Sequence, residues 1–301
     1  MKVLISGSSG LVGSALAQTL EANGNEVGRL VRTAPAARPL DVHWQPGELL
    51  APELVSGFDA VVHLAGRNLA GRWTDRMKRE IRESRLLGTA TISQAVAAAF
   101  RAGGRPSVLV SASAIGFYGN RGSELLTESS ASGSGFLAAL CRDWEAASSP
   151  AAEAGVRAVL PRLGLVLSGK GGAMSRVLPI FRLGLGGRLG SGRQYWSWIT
   201  LEDVIKAIEF AIANPILAGP VNLVSPNPVT NAEFTAALGR ALRRPAVFPV
   251  PAFALRLMMG EMADEALLAS QRVQPEKLLK AGYHFAHPQL DEALEQICRH
   301  G

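Results

Sequence analysis

The sequence predicts an α/β fold, in which a doubly wound parallel sheet of the Rossmann type is followed by a smaller C-terminal α/β lobe. Three observations lead to this prediction. A strand is connected to a helix by a glycine-rich turn near the N terminus, and apolar strand segments alternate with helical segments through the first half of the chain. After residue 168 the composition changes, and glycine and arginine become frequent. We expect a Rossmann domain over 1–168. Residues 169–301 would form substrate-side loops and the lobe, with the chain crossing back to the sheet.

The N-terminal turn has the spacing of a phosphate-binding loop. It follows the apolar run 3–5 and carries glycines at positions 7, 10 and 13. In such turns the first glycine permits the tight bend, the second admits a pyrophosphate, and the third lets the helix pack on the strand. Unpaired amides and the helix dipole favour negative charge there. The predicted contacts of a dinucleotide are Gly7, Ser9, Gly10, Leu11, Val12 and Gly13.

The remaining elements follow from apolar runs and from helix start and stop signals. The predicted later strands are 26–31, 60–64, 108–110, 158–167 and 220–224. The predicted helices are 14–22, 75–100, 136–154, 177–183, 201–213, one that begins at the capping box of Thr230 and Glu233, and 253–262. We expect the last of these to pack on the domain through one face. His63 lies in a buried strand pattern, and Asp203 at a helix start, so both are interpreted as structural residues.

Composition excludes several classes of protein. The chain has 301 residues, 48% of them hydrophobic, and no apolar run of about 20 residues that could span a membrane. We expect a soluble, cytoplasmic protein that acts without a membrane and can form a homo-oligomer. Cys141 and Cys298 lack metal-ligand spacing, as do His284 and His287, so no metal site is predicted. The net charge of +6 comes from scattered arginines. It therefore favours a small, possibly anionic substrate and no nucleic acid.

The end of the second strand predicts which dinucleotide binds. Many NAD-binding folds carry an acidic residue there that accepts hydrogen bonds from the ribose hydroxyls. Here Arg32 occupies that place. A guanidinium donates to a 2′-phosphate, whereas a carboxylate would repel it. The sequence therefore favours NADP(H) over NAD(H), with a solvated loop arginine as the alternative.

The chain resembles the extended short-chain dehydrogenase/reductase superfamily, which includes the nucleotide-sugar epimerases and dehydratases. The matching segments are the glycine turn, 59–66, Gly88-Thr89, 111–113 with Tyr118-Gly119, Gly190-x-Gly192, Trp198-Ile199 and Asp203. Further segments resemble an atypical epimerase-like subfamily with its own C-terminal domain, named NAD-dependent epimerase/dehydratase or epimerase family protein. These segments are 72–74, 81–85, 143–147, 171–174 and 230–234. The resemblance implies that Leu64, Ala65 and Gly66 line the ribose side of the cofactor.

The sequence departs from this superfamily at its catalytic pair. The family uses a Tyr and a Lys four residues later, but the segment 135–145 contains neither. Three hypotheses remain open. Ser113, or Ser111, with Tyr118 could supply the catalytic groups, although Tyr118-Gly119 also matches a structural turn. A second is that Glu80, Arg85 or Arg162 organises the cofactor pocket, with surface salt bridges as the alternative for these residues. Thirdly, the protein could bind NADP(H) without turnover.

The segment 169–193, which is rich in glycine and arginine, is the predicted substrate-binding region. Arg182 and Arg193 could bind an anionic group there and Trp196 could stack on a ring, with a solvated loop and core packing as the alternatives. The sequence thus predicts an NADP(H)-binding oxidoreductase or epimerase-like protein acting on a small carbonyl or sugar-type substrate. The alternative is a catalytically degenerate NADPH-binding sensor or regulatory module.

Overall fold

The computed structural model describes residues 1–33 and 38–300 and contains a large parallel sheet with three small ones. The strands are β1 (Lys2–Ser6), β2 (Glu26–Val31), β3 (Val42–His43), β4 (Ala60–His63), β5 (Val108–Ser111), β6 (Ser113–Ala114), β7 (Leu125–Leu126), β8 (Arg157–Leu163), β9 (Leu165–Leu167), β10 (Tyr195–Trp196), β11 (Trp198–Thr200), β12 (Gly219–Leu223), β13 (Val229–Thr230) and β14 (Arg272–Val273).

The large sheet has the order β12-β8-β5-β4-β1-β2-β3, with β6 also paired to β8, and all these pairings are parallel. The winding direction reverses between β1 and β4. In such sheets ligands bind outside the carboxyl ends of the strands at this reversal. The predicted doubly wound fold is confirmed, and its crevice lies beside the N-terminal glycine turn.

Helices cover both faces of this sheet, and others form the C-terminal lobe. In chain order the α-helices are α1 (Leu11–Ala22), α2 (Glu53–Ser56), α3 (Asp75–Gly103), α4 (Phe136–Ala146), α5 (Ser149–Glu153), α6 (Met174–Arg182), α7 (Leu201–Ala213), α8 (Asn231–Leu242), α9 (Ala252–Met259), α10 (Glu276–Lys280) and α11 (Leu290–His300). Side chains of α1 and α7, including Leu16 and Ile208, form the core on one face. Side chains of α2, α3 and α5, including Val55, Ile92 and Ala151, form it on the other. Burial on both faces explains why the strands are continuous apolar runs.

Two predicted elements are each divided in the structure. The helix predicted over 136–154 ends at Ala146, and α5 begins at Ser149 with Pro150 in its first turn. Proline lacks an amide hydrogen, so it starts a helix more readily than it continues one. The strand predicted over 158–167 breaks at Gly164, where an added Cβ would lie 2.6 Å from the Ser197 oxygen. The chain then pairs with β11, away from the large sheet.

The C-terminal lobe is built on α6, α8 and α11, which share a core that includes Leu178, Phe234 and Leu294. The capping box of Thr230 and Glu233 begins α8 as predicted. Between α6 and α8, the chain returns to the large sheet through α7 and β12. The boundary at 168 stays a prediction.

The prediction that the segment 253–262 packs through one face is confirmed, because Leu255 is buried and Met259 and Met262, four and seven positions further on, are half-buried. The opposite face is also apolar in part, with Phe253 and Leu257 72% and 74% exposed. The helix here, α9, ends at Met259. Within the described residues, we find no helix with the length and apolar character needed to cross a membrane.

Candidate functional site

The N-terminal turn has the close backbone packing that its three glycines predict. Gly7 has φ +70°, and a Cβ added at Gly13 would lie 2.2 Å from the Gly7 oxygen. Gly10 caps α1 without a side-chain acceptor for the first-turn amides. These amides can therefore bind an anionic group at the helix N terminus. The backbone fits the diphosphate of a dinucleotide.

A cleft of about 960 Å³ opens at this turn. It is lined by 7–10 of the turn, 30–33 after β2, 44–46, 64–67 after β4, and Glu80 and Ser84 of α3. Of the predicted cofactor residues, Gly7, Ser9, Gly10, Arg32, Leu64, Ala65, Gly66 and Glu80 line it. Leu11, Val12 and Gly13 lie behind the turn in α1, and Leu11 approaches Gly172 from the other side.

Arg32 is exposed at the rim of this cleft. The nearby Arg29 and Arg38 both pair with Glu21, at 3.6 and 2.8 Å. In the described part of the chain, no carboxylate lies within ion-pair distance of Arg32. Its guanidinium is therefore available to an anionic ligand.

Glu80 has protein partners at the cleft. It pairs with Arg67 at 2.9 Å and with Arg76 at 2.9 Å. The hydrogen bond from Arg76, followed by the charge of Arg67, keeps the pKa of the Glu80 carboxyl below its usual value. Its geometry favours the surface salt-bridge interpretation, and a role in cofactor binding stays a prediction.

A second cavity, of about 370 Å³, lies between α4, the ends of β6 and β8, and the C-terminal lobe. We call it the apolar cavity. Its lining includes Leu69, Ala114, Leu137, Leu140, Trp144, Met174, Trp196 and Phe234, together with the polar or ionisable residues Arg85, Cys141, Tyr195, Ser197, Glu265 and Gln271. Leu137 and Cys141 are one of the two pairs of positions where the sequence analysis placed the missing Tyr and Lys. Burial raises the pKa of the Cys141 thiol to about 12, so it stays protonated at neutral pH.

Ser113 and Arg162 are in neither cavity lining. Their shared partner is Glu145 of α4, which accepts from Ser113 Oγ at 2.7 Å and from Arg162 Nε and Nη2, each at 2.8 Å. Neighbouring residues of a strand project to opposite sides, so Ala114 lines the apolar cavity while Ser113 faces Glu145. The catalytic role of Ser113 and the cofactor role of Arg162 stay predictions that this placement does not favour.

Tyr118 belongs to the same buried network. Its side chain is fully buried, and its hydroxyl donates to Asn222 Oδ1 at 2.7 Å and accepts from Arg162 Nη1 at 2.9 Å. Burial raises the pKa of this phenol. The structure therefore favours the structural interpretation of Tyr118, and it does not bring the hydroxyl to the apolar cavity.

His63 and Asp203 are both buried, as their sequence positions predict. His63 Nδ1 lies 2.6 Å from Ser6 Oγ, and burial, with a smaller effect of the Arg85 charge, lowers the pKa of the imidazole to about 4. Asp203 accepts from the amides of Ala286 and His287 at 2.7 and 3.0 Å. No group of His, Cys, Asp and Glu that could hold a metal ion occurs among the described residues.

The three predicted substrate residues are separated. Trp196 lines the apolar cavity, and its indole donates to the Leu267 oxygen at 3.3 Å. Arg182 and Arg193 are exposed and lie outside the lining of this cavity. Arg182 is the last residue of α6, and Arg193 lies in the loop just before β10.

Tyr195 and Glu265 are cavity residues that the sequence analysis missed. Tyr195 directly precedes Trp196, which was selected, so its position beside a candidate ring-stacking residue was the available signal. Glu265 comes from a π-helical turn far along the chain and accepts from the amides of Phe136 and Leu137 at 3.2 and 3.0 Å. No local pattern predicts that contact, because 128 residues separate Glu265 from Leu137.

The fold and the glycine-lined cleft define a protein of the Rossmann class, with a dinucleotide-type crevice at the reversal of the sheet. Comparison with known proteins identifies the group within that class. Residues 3–223 match the NAD dependent epimerase/dehydratase family, and residues 250–297 match a domain of unknown function, DUF1731. The chain belongs to the NAD-dependent epimerase/dehydratase family, and its resemblance to the atypical short-chain dehydrogenase/reductase subfamily is confirmed.

Individual relatives resemble the chain over its full length. An epimerase family protein of Mycobacterium bovis is 50% identical over 97% of this chain and 96% of its own. The crystal structure of the human epimerase family protein SDR39U1 with NADPH has a TM-score of 0.88 at 32% identity, covering 99% of both chains. A nucleoside-diphosphate sugar epimerase structure from Corynebacterium glutamicum has a TM-score of 0.79 at 38% identity, covering 99% of this chain and 58% of that one.

Proposed function

We propose that this chain binds NADPH in the glycine-lined cleft and reduces the carbonyl group of a small substrate in the apolar cavity. The observation that carries the proposal is the exposed Arg32 guanidinium, which lines the same cleft as Gly7 and Gly10. The human relative solved with NADPH supports the choice of cofactor. Bound NADPH would supply a hydride, and the chain itself would supply orientation and a proton.

Each part of the cleft has a role in this proposal. The turn 7–10 and the first amides of α1 bind the diphosphate. Arg32 holds the 2′-phosphate through charge-assisted hydrogen bonds. Leu64, Ala65 and Gly66 follow β4 and cover the ribose side.

Elimination among the residues lining the apolar cavity leaves Tyr195 as the proton donor. The raised pKa of Cys141 makes its thiol a poor acid. Glu265 accepts from two α4 amides, and the Ser197 hydroxyl donates to the Gln271 oxygen at 2.8 Å. Of the three tyrosines, Tyr118 and Tyr283 use their hydroxyls in buried hydrogen bonds. Tyr195 has no such bond among the described residues, so its phenol can donate to a carbonyl oxygen.

A second candidate function is an NADPH-dependent sensor or regulatory module. It is favoured by the α4 face, where Leu137, Leu140 and Cys141 stand in place of groups that exchange a proton. In this case cofactor occupancy would change the affinity for a partner, and no substrate would be consumed.

Calorimetry and turnover assays test the two functions in order. Titration with NADPH and NADH should show binding with a preference for NADPH, and the absence of heat with both would overturn the cofactor assignment. NADPH absorbance is then followed with a panel of aldehydes, ketones and nucleotide sugars. Consumption that depends on a carbonyl compound supports the reductase, and binding without consumption across the panel favours the sensor.

A further inference from the structure

Arg85 is a buried cation without a carboxylate partner. The residue is only 8% exposed, and no carboxylate oxygen in the described part of the chain lies within ion-pair distance of it. Its Nη1 donates to the backbone oxygens of Arg67 and Ile81 at 3.1 and 3.2 Å. Its Nε and Nη2 have no hydrogen-bond acceptor among the described residues. A buried guanidinium normally uses most of its five donors, so this one has unused capacity.

The position of Arg85 joins the two cavities. Its guanidinium lines the apolar cavity and lies 5.0 Å from the Trp144 ring centre. On its other side it lies behind the cofactor cleft, since a Cβ added at Gly66 would be 3.4 Å from Arg85 Cζ. Burial lowers the pKa of this guanidinium, yet an arginine remains charged at neutral pH. A ligand in the apolar cavity therefore meets a fixed positive charge next to the cofactor.

The rest of the lining restricts the ligand. Arg85 is the sole basic residue among the described residues that line this cavity, and aliphatic and aromatic apolar residues make up most of the wall. The hydroxyl groups of a sugar and the several charges of a nucleoside diphosphate would be buried there without enough partners. An apolar or aromatic body with one carboxylate would match the wall and the guanidinium, which donates to carboxylates in a bidentate geometry.

We infer that the apolar cavity takes a carboxylate-bearing apolar carbonyl compound, with Arg85 as the anchor of its carboxylate. This inference rests on the proposed reductase function, and it specifies the substrate class of that site. It also assigns Arg85 to the substrate, whereas the sequence analysis placed it with the cofactor. Anchoring at the end of the cavity next to Gly66 holds the carbonyl beside the cofactor cleft.

Binding of 2-naphthoate and its uncharged isostere 2-naphthamide tests the inference. Both are titrated into the protein saturated with NADP⁺, with calorimetry as the readout. A buried charge-assisted hydrogen bond contributes more binding free energy than a neutral one. Naphthoate should therefore bind at least about tenfold more tightly than naphthamide. Equal affinities, or binding of neither probe, would overturn the carboxylate anchor. Failure of the proposed function is seen separately, as an absence of NADP⁺ binding before either probe is added, or as an absence of NADPH consumption with the panel of carbonyl compounds.

Substitution of Arg85 tests whether this residue causes the preference for naphthoate over naphthamide. Arg85→Met should reduce the preference for naphthoate to within about twofold while NADPH affinity stays within about threefold of the parent. The matched control is Arg101→Met, the same change at an exposed residue of the same helix, which should keep both affinities. If Arg85→Met weakens NADPH and leaves the naphthoate preference unchanged, Arg85 belongs to the cofactor and the inference is wrong. The comparison of the two probes on the parent protein stands even if this variant does not fold.

Discussion

Arg162 and Glu145 form a bidentate ion pair beneath the carboxyl end of the large sheet, with side chains 3% and 10% exposed. The pair links β8 to α4, and through Ser113 and Tyr118 it extends to β6 and to the turn after it. Arg162 also lies 3.5 Å from the Phe117 ring centre. These residues hold together β8, α4 and β6, which line the apolar cavity, without lining the cavity themselves. Their contribution is therefore to the stability of the site.

Arg162→Met should lower the free energy of unfolding by about 3–5 kcal/mol, because it leaves the buried Glu145 carboxylate without its cation. Urea denaturation measures the change. The double variant Arg162→Met/Glu145→Leu should recover part of the loss, since it removes both charges. As a control, Arg240→Met breaks the exposed pair with Asp291 and should cost less than about 1 kcal/mol. An equal loss of unfolding free energy in the two single variants would show that the buried pair stabilises the fold no more than the exposed pair does.

Stability should fall as the pH is lowered from about 6.5 towards 4 because of His63. The folded state lowers the pKa of this imidazole to about 4, so in that range the unfolded chain binds a proton that the folded chain does not. The free energy of unfolding therefore decreases with falling pH, by about 3 kcal/mol for this group across the range, at 1.36 kcal/mol per pKa unit.

Urea denaturation at several pH values checks this for the parent and for His63→Asn, whose pH dependence should be shallower by that amount. The matched control is His284→Asn at an exposed position, which should keep the parent's dependence. A parallel loss in all three proteins would exclude His63 as the cause.

Arg32→Ala should weaken NADPH binding by about tenfold or more and NADH binding by no more than about twofold. The reason is that only NADPH carries the 2′-phosphate, and hydrogen bonds to charged groups contribute about 1.5–3 kcal/mol. Calorimetric titration of both dinucleotides gives the ratio. Arg38→Ala, at an exposed residue paired with Glu21, serves as the control and should leave the ratio unchanged. Comparable losses for the two dinucleotides would refute the 2′-phosphate assignment.

Tyr195→Phe should lower kcat by about 10²-fold or more with any carbonyl substrate found, because general acid catalysis contributes about 10²–10⁴-fold. NADPH affinity should not change, since Tyr195 lines the apolar cavity and is absent from the lining of the cofactor cleft. Tyr283→Phe is the matched control, because it removes a hydroxyl that is bonded to Asp203, and neither residue lines this cavity. It should lower stability and keep kcat. Full activity of Tyr195→Phe would remove Tyr195 as the proton donor.

The parts of this protein that could be predicted are those encoded by local patterns. The glycine spacing after a short apolar run predicted the turn at Gly7, because only glycine tolerates that φ and that close approach to Leu64. Alternating apolar strands and helices predicted the doubly wound sheet, and the helix over 201–213 has the predicted bounds. Arg32 was predicted at the cleft because the end of a strand fixes its place in the fold.

The sequence by itself therefore determined the fold class and the cofactor turn, since both depend on residues close together in the chain. Only the tertiary structure decided which polar residues meet. It paired Ser113 with Glu145, 32 positions away, and buried Tyr118 against Asn222, 104 positions away. It also turned Ala114, Leu137 and Cys141 towards the apolar cavity and left Arg85 there without a carboxylate. The physical reason is that a polar side chain is committed or available according to its neighbours in space, and packing brings those neighbours from distant segments.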